Sequence, residues 1–343
     1  MMSLAGIDRF QEDRCTRCGE CLIRCQYIQI EAQESRQAFQ DLIDGRPSRV
    51  ISECVSCMAC DELCPEGANP FSLIVKRQEE SGESKRFEQY GSNMKHAYRM
   101  PSRIQKGTAP GPVIDLCTVS AMVPGLFQGA LFEGASYLEG GDYFCGIGFY
   151  HVGLATPIAE KAASVVERVA QAGSEEVVCY HDDCYTFFSA IAPSLGIDVP
   201  FQPVSWPEFL YHRMVSLKDR IRFIGATVAY QRPCASRYTP EKDRYVDRIF
   251  DLVGVQKPVR KFEKQQSLCC GGAIVPRNWE AADRIKHQNL EDARSAGAQI
   301  MITLCPMCFA NLKKRAPEHG LETMAISDLC RAAIGEIDIK PTN

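Results

Sequence analysis

Leu268-Cys269-Cys270-Gly271-Gly272, preceded by a lone Cys234 and followed by Cys305-Pro306-Met307-Cys308, is the stretch on which the reading of this chain turns. The gaps from Cys234 to Cys269 and from Cys270 to Cys305 are equal in length. Five thiolates exceed the ligand set of a tetrahedral zinc site. An adjacent Cys-Cys pair can also place two soft sulfurs on neighbouring or shared iron atoms. The residues therefore favour an iron–sulfur cluster held by Cys234, Cys269, Cys270, Cys305 and Cys308, with Cys269 and Cys270 as the candidate catalytic pair because only here are all five thiolates present.

The amino end carries two further sets. Residues 15–25 read Cys15-x2-Cys18-x2-Cys21-x3-Cys25, and residues 54–65 read Cys54-x2-Cys57-x2-Cys60-x3-Cys64-Pro65. In such a ferredoxin quartet three thiolates wrap one 4Fe-4S cubane and the fourth ligates the other cluster of the pair. The expected sets are Cys15, Cys18, Cys21 and Cys64 for one cubane, and Cys54, Cys57, Cys60 and Cys25 for the other. Gln26 stands where a proline usually follows the fourth cysteine. Between the quartets the polar run Glu31–Leu42 predicts a helix, which Gly45 and Pro47 end. Beyond the apolar patch Phe71–Val75 comes a charged stretch, Lys76–Pro112, expected to be a solvated connection.

Sliding the carboxyl half on itself superposes Ala172–Val178 on Ala296–Ile302 and Cys184-Tyr185 on Cys308-Phe309, an internal repeat. A helix precedes each turn. Thr156 is expected to cap the first and Pro157 to start it, with Ile158, Ala162, Val165 and Val169 on its apolar face. Gly173 and Gly297 sit where a left-handed residue ends each helix, and an apolar strand follows. Strand, helix, strand units imply parallel α/β folding. The first copy has Phe144-Cys145-Gly146 in place of Cys-Cys-Gly and His181-x2-Cys184 in place of Cys-x2-Cys. Cys117, Cys145, His181 and Cys184 are thus a candidate set for zinc or a small iron–sulfur centre, with Cys179 as a rival ligand and an eroded, metal-free repeat as the plain alternative. The fold class expected is α+β/α/β: a mainly α-helical two-cluster ferredoxin domain over 1–90, a linker over 91–112, a degenerate first repeat over 113–220, an intact second repeat over 221–330, and a tail over 331–343.

The carboxyl array resembles the CCG domain of heterodisulfide reductase and its relatives, including the iron–sulfur subunits of glycolate oxidase and anaerobic glycerol-3-phosphate dehydrogenase. The quartet region resembles the helical ferredoxin of the small heterodisulfide reductase subunit and of succinate dehydrogenase iron–sulfur proteins. Nearly the whole chain reads like the two small reductase subunits joined. The resemblance implies a non-cubane 4Fe-4S cluster on the five-cysteine array, two cubanes feeding it from a flavoprotein subunit, and a disulfide as the group reduced. The alternative it implies is a relay from a flavin dehydrogenase of the hydroxyacid, glycerol-phosphate or succinate type to a quinone or membrane cytochrome. The reductase uses two facing CCG clusters, whereas this chain has one full cysteine set.

Composition agrees with a cored protein: 343 residues, 45% hydrophobic, net charge −4. The 18 cysteines follow an opening, MMSLAGIDRFQEDR, that lacks an apolar signal core, so a secreted disulfide framework is not expected. The apolar stretch Val113–Ala135 is broken by Asp115, Pro124, Gly125, Gly129 and Glu133, too soon to span a bilayer. A cytoplasmic chain, or one peripheral to the inner face of the membrane, is expected. Scattered Lys and Arg offer no nucleic-acid stripe. No phosphate-binding glycine loop appears, so flavin and nicotinamide are assigned to another subunit. His96, His151, His212, His287 and His319 lack partner spacing and read as surface or packing residues. Cys330, Trp206 and Trp279 read as packing residues.

Overall fold

Phe39 and Leu42 show how the amino-terminal third acquires its helices. In helix Ala32–Ile43 the buried residues are Ser35, Ala38, Phe39 and Leu42, spaced as one stripe of an amphipathic helix. Full burial of side chains of this size contributes about 1.5–3 kcal/mol each. Gly45, left-handed at φ 70°, ends the run where the break is expected. Helices Glu20–Ile23, Arg49–Glu53, Ala59–Leu63 and Pro70–Glu80 complete the unit. The computed structural model describes residues 9–122 and 127–339. Residues 1–8 of the first expected domain, Pro124 and Gly125, and residues 340–343 of the expected tail lie outside the described residues.

The stretch expected to be a linker is structured. Helix Pro70–Glu80 continues through Lys76, helix Glu88–Ala97 follows, and Arg103–Gln105 forms strand β1. Its charges hold other elements. The Arg77 guanidinium donates to the carbonyls of Leu42 (2.6 Å) and Ile43 (2.9 Å) at the carboxyl end of helix Ala32–Ile43, where a cation meets the negative end of the helix dipole. Glu79 accepts from the backbone N–H groups of Ala155 and Thr156 at 2.8 and 3.1 Å. The helix Thr156–Ala170 is therefore capped by a carboxylate from the ferredoxin unit, and Thr156, which lies inside the helix, is not its cap.

Two sheets follow. β2 (Val113–Cys117), β3 (Ser136–Glu139), β4 (Glu176–Cys179) and β5 (Gln202–Ser205) join β1 in the order β1-β3-β2-β4-β5. All pairs are parallel except β1 with β3. β6 (Val228–Gln231), β7 (Ile300–Thr303) and β8 (Glu322–Ala325) form a parallel sheet ordered β6-β7-β8. It matches β2-β4-β5, and the place of β3 is kept by a single bridge, Thr227 to Gln256. Helices Thr156–Ala170 and Trp279–Ser295 precede β4 and β7, and Gly173 (φ 69°) and Gly297 (φ 88°) end them in the left-handed conformation.

Period-two alternation decides which face goes where. Ile114, Leu116, Val178, Ile300 and Ile302 face a core shared by the two sheets, with Trp206 and Cys330 in it. Val177 faces the ferredoxin side and Met301 the cluster loop. Trp279 departs from expectation and is 67% exposed. The tail is not free either: helix Ile326–Ala333 runs into it, Ile334 is buried, and Glu336 accepts the Ala130 N–H at 2.8 Å. No helix among the described residues is long and apolar enough to cross a membrane.

Candidate metal centres

The two quartets share a local device. Arg17 (φ 58°) and Gly19 (φ 77°) flank Cys18, and Ser56 (φ 55°) and Met58 (φ 64°) flank Cys57. Left-handed backbone at three non-glycine positions is costly, and here it turns each chain around a common centre. Backbone N–H groups then point at sulfur: Ile28 to Cys25, Ser56 to Cys54 and Ala68 to Cys64, each at 3.4 Å. Electrostatically, Cys21 interacts with Cys64, Cys15 and Cys18, while Cys57 interacts with Cys25 and Cys54 and Cys60 with Cys54, Cys21 and Cys57. Sulfurs of the two quartets thus come close to one another: Cys64 stands near Cys21, and Cys25 near Cys57. Burial pushes the Cys54 thiol up to about 11 and Cys57 to about 12, so a thiolate set in these sites calls for a compensating metal cation.

In the second repeat Cys234 follows β6, Cys305 follows β7, and Cys308 lies in helix Pro306–Lys313. The five sulfurs influence one another in sequence: Cys234 with Cys269, Cys269 with Cys270, Cys270 with Cys308, and Cys308 with Cys305. Gly271 (φ 88°) lets the loop double back so that its N–H donates to the Cys269 sulfur at 3.3 Å. A Cβ there would meet the Lys286 side chain at 2.6 Å. Hydrogen bonds from Cys234 and Cys270 hold Cys269 well below the usual thiol range, and one from Cys308 does the same for Cys305. Thiolate is the metal-binding form.

The first repeat divides the four residues expected to act together. The sulfurs of Cys117, Cys145 and Cys184 lie within 4.8 Å of one another, all buried. His181 is not with them: its Nε2 lies 3.3 Å from the sulfur of Cys305. These two residues are 124 positions apart, the offset of the repeat, and each stands at the start of the helix after its strand. Aligned positions of the two halves therefore meet, and the histidine faces a cysteine of the intact array. Burial opposes a charge on His181, but Asp183 and Cys305 outweigh it and hold the imidazole well above its ordinary value. Cys179 is apart from the trio, its thiol directed at the Val177 carbonyl.

Asp115 was missed as a site residue. It is fully buried; one oxygen accepts the Cys117 N–H at 2.8 Å and the other has no nitrogen or oxygen partner. Burial pushes the carboxyl well above its usual range, against the opposing pull of the Cys117 N–H and the nearby Cys184 thiol. The signal was present as an acid inside the apolar strand Val113-Ile114-Asp115-Leu116-Cys117, where burial without a partner is rare. The Tyr98 hydroxyl stands 2.2 Å from where a Gly146 side chain would begin.

The ferredoxin unit meets the second repeat at a buried seam. One Glu62 oxygen accepts from Arg232 (2.6 Å) and Arg237 (3.0 Å). Tyr27 accepts the Cys269 N–H at 2.7 Å. The Arg277 guanidinium donates to Ser56 Oγ at 3.3 Å and sits over the Phe87 ring. His151 contacts the Ser56 carbonyl, and His287 pairs with His319 at 2.8 Å.

Comparisons with known proteins agree with the cysteine reading. A 4Fe-4S dicluster domain family matches residues 14–69, and the CCG cysteine-rich domain family matches residues 228–313. The chain is 23% identical to a subunit of the dihydromethanophenazine:CoB–CoM heterodisulfide reductase of Methanosarcina mazei, over 90% of each chain. It is 22% identical to the subunit of the same name in Methanosarcina acetivorans, again over 90% of each. It is 21% identical to a subunit of the fumarate reductase (CoM/CoB) of Methanothermobacter marburgensis, over 92% of this chain and 70% of that one. Among solved structures, a hypothetical protein from Helicobacter pylori shares the fold with a TM-score of 0.54 and 12% identity, covering 90% of this chain and 74% of that one. The chain is similar along nearly its whole length to these heterodisulfide reductase subunits and carries both iron–sulfur domain types.

Proposed function

We propose that this chain is the iron–sulfur electron-transfer subunit of a heterodisulfide reductase-like oxidoreductase complex, receiving electrons from a flavoprotein subunit. The observation that carries the proposal is the seam: Tyr27 lines a cavity with Cys25, Cys54, Cys57 and Cys60 of the ferredoxin unit, and its hydroxyl accepts the N–H of Cys269 of the five-sulfur set at 2.7 Å. Cubanes on the two ferredoxin sets and a non-cubane 4Fe-4S cluster on Cys234, Cys269, Cys270, Cys305 and Cys308 would supply one-electron chemistry. The chain's own residues do the rest. Buried sulfurs exclude water, backbone N–H groups and the nearby Arg237 and Arg277 charges offset thiolate charge, and the Glu62 seam keeps the units in register. With a non-cubane cluster, the Cys269-Cys270 pair is the proposed place for a disulfide sulfur to be met.

A second reading has its own support. Among the described residues three sulfurs meet in the first repeat, fewer than the five of the intact array that a second facing cluster of the same kind would take. A relay from a flavin dehydrogenase to a quinone or membrane cytochrome needs no second cluster. In either case Cys117, Cys145 and Cys184 would hold zinc or a small iron–sulfur centre, with His181 or the buried Asp115 carboxyl beside Cys184 as the fourth donor.

Anaerobically prepared protein is expected to hold about twelve irons, four per cluster, with one zinc if the first repeat takes it. Fewer than about eight irons would remove the two-cubane assignment. Cross-ligation has a separate test. Cys64→Ala should damage the centre held by Cys15, Cys18 and Cys21 while sparing that held by Cys54, Cys57 and Cys60; loss of the second signal alone would reverse the assignment.

A further inference from the structure

Gln26, where a ferredoxin usually has proline, donates its side-chain amide to the carbonyl (2.6 Å) and side-chain oxygen (2.9 Å) of Gln266. That contact draws Tyr27 onto the loop that leads into Cys269. The ring lines a cavity with Cys25, Cys54, Cys57 and Cys60 on one side and packs against the core of Cys269 and Cys270 on the other. Its hydroxyl accepts the Cys269 N–H at 2.7 Å. A phenol has one proton to give as well, and among the described residues no oxygen or nitrogen acceptor receives it. Cys57 lines the same cavity as Tyr27, and Cys234 packs with Tyr27 against the core that holds Cys269 and Cys270.

We propose that Tyr27 is a positioning residue that couples the two centres: its oxygen anchors the Cys269 amide, and its proton hydrogen-bonds a ligand sulfur of one centre, Cys57 or Cys234, at a time. The role rests on the reading that these sulfurs hold iron–sulfur clusters. A hydrogen bond to a ligand sulfur favours the more negative, reduced state and raises that centre's potential. Because one hydroxyl cannot face both sets at once, it biases which centre holds a shared electron.

The test is Tyr27→Phe in the full iron-loaded chain, read by iron content and by potentiometric titration of each centre's paramagnetic signal. Phenylalanine keeps the packing and removes both hydrogen bonds. Iron should be retained, the potential of the centre that receives the proton should fall, and the partition of an electron between the centres should change by about tenfold, the factor one hydrogen bond to a charged group is worth. A fluorotyrosine at position 27 decides the matter if the phenylalanine form loses iron. It keeps the shape and makes the hydroxyl a better donor, so the same potential should rise. Unchanged potentials in an iron-loaded variant would overturn the role of Tyr27 alone. A wild-type chain that holds no iron would instead remove the underlying reading, and the coupling with it.

Discussion

Cys270→Ser is expected to bring turnover with a disulfide or the natural acceptor to background while both ferredoxin quartets keep their iron. Cys270 is the middle link of the five-sulfur chain, in contact with Cys269 on one side and Cys308 on the other. A serine oxygen is shorter and harder, a poor ligand for iron chosen by soft sulfur. The ferredoxin sets contain no atom of this loop, so on the proposed function reduction of their clusters by a flavoprotein subunit should survive. Loss of the five-sulfur centre with turnover intact would move the chemistry to the first repeat or to another subunit. Parallel assays of turnover and of cubane reduction, with iron measured on the same sample, separate these outcomes.

Lys242→Ala should be the most destabilising change away from the sulfurs. Lys242 Nζ lies 2.9 Å from Asp182 Oδ1, and both side chains are 1% exposed. The ammonium also donates to the Thr239 carbonyl (3.2 Å) and hydroxyl (2.7 Å), and Ser236 donates to the other Asp182 oxygen at 2.9 Å. Asp182 belongs to the first repeat and Lys242 to the second, so the pair staples the halves beside the His181–Cys305 contact. Removing the lysine leaves a buried carboxylate without its counter-charge, at a cost of about 3–5 kcal/mol. Replacing both partners together, Lys242→Met with Asp182→Leu, should recover much of the loss because no charge stays stranded. Urea denaturation of the loaded chain, comparing single and double variants, measures this; a single-variant loss below about 1 kcal/mol would mean the pair is solvated.

Local features were legible where a few consecutive residues decide them. The helix Ala32–Ile43, the left-handed Gly173 and Gly297, and the strands after each came from short-range periodicity and turn chemistry. Charged residues misled where their partners are distant. The run from Lys76 reads as solvated surface, yet Arg77 closes one helix and Glu79 opens another across the unit boundary. His181, expected to act with Cys117, Cys145 and Cys184, has its Nε2 against the sulfur of Cys305, again a partner distant along the chain. The repeat correctly made it the counterpart of Cys305, but aligned positions in two halves need not serve their own halves.

The sequence by itself determined the cysteine groups, the repeat and the strand–helix order, because ligand spacing and hydrophobic period are properties of neighbouring residues. Only the tertiary structure decided that His181 faces Cys305, that Asp115 stands beside the first-repeat trio, and that Gln26 and Tyr27 join the ferredoxin unit to the cluster loop. Each of these contacts depends on which face of a strand or loop meets which distant partner. Packing the two sheets and the helical unit around shared cores sets that choice, and no residue's immediate neighbours along the chain encode it.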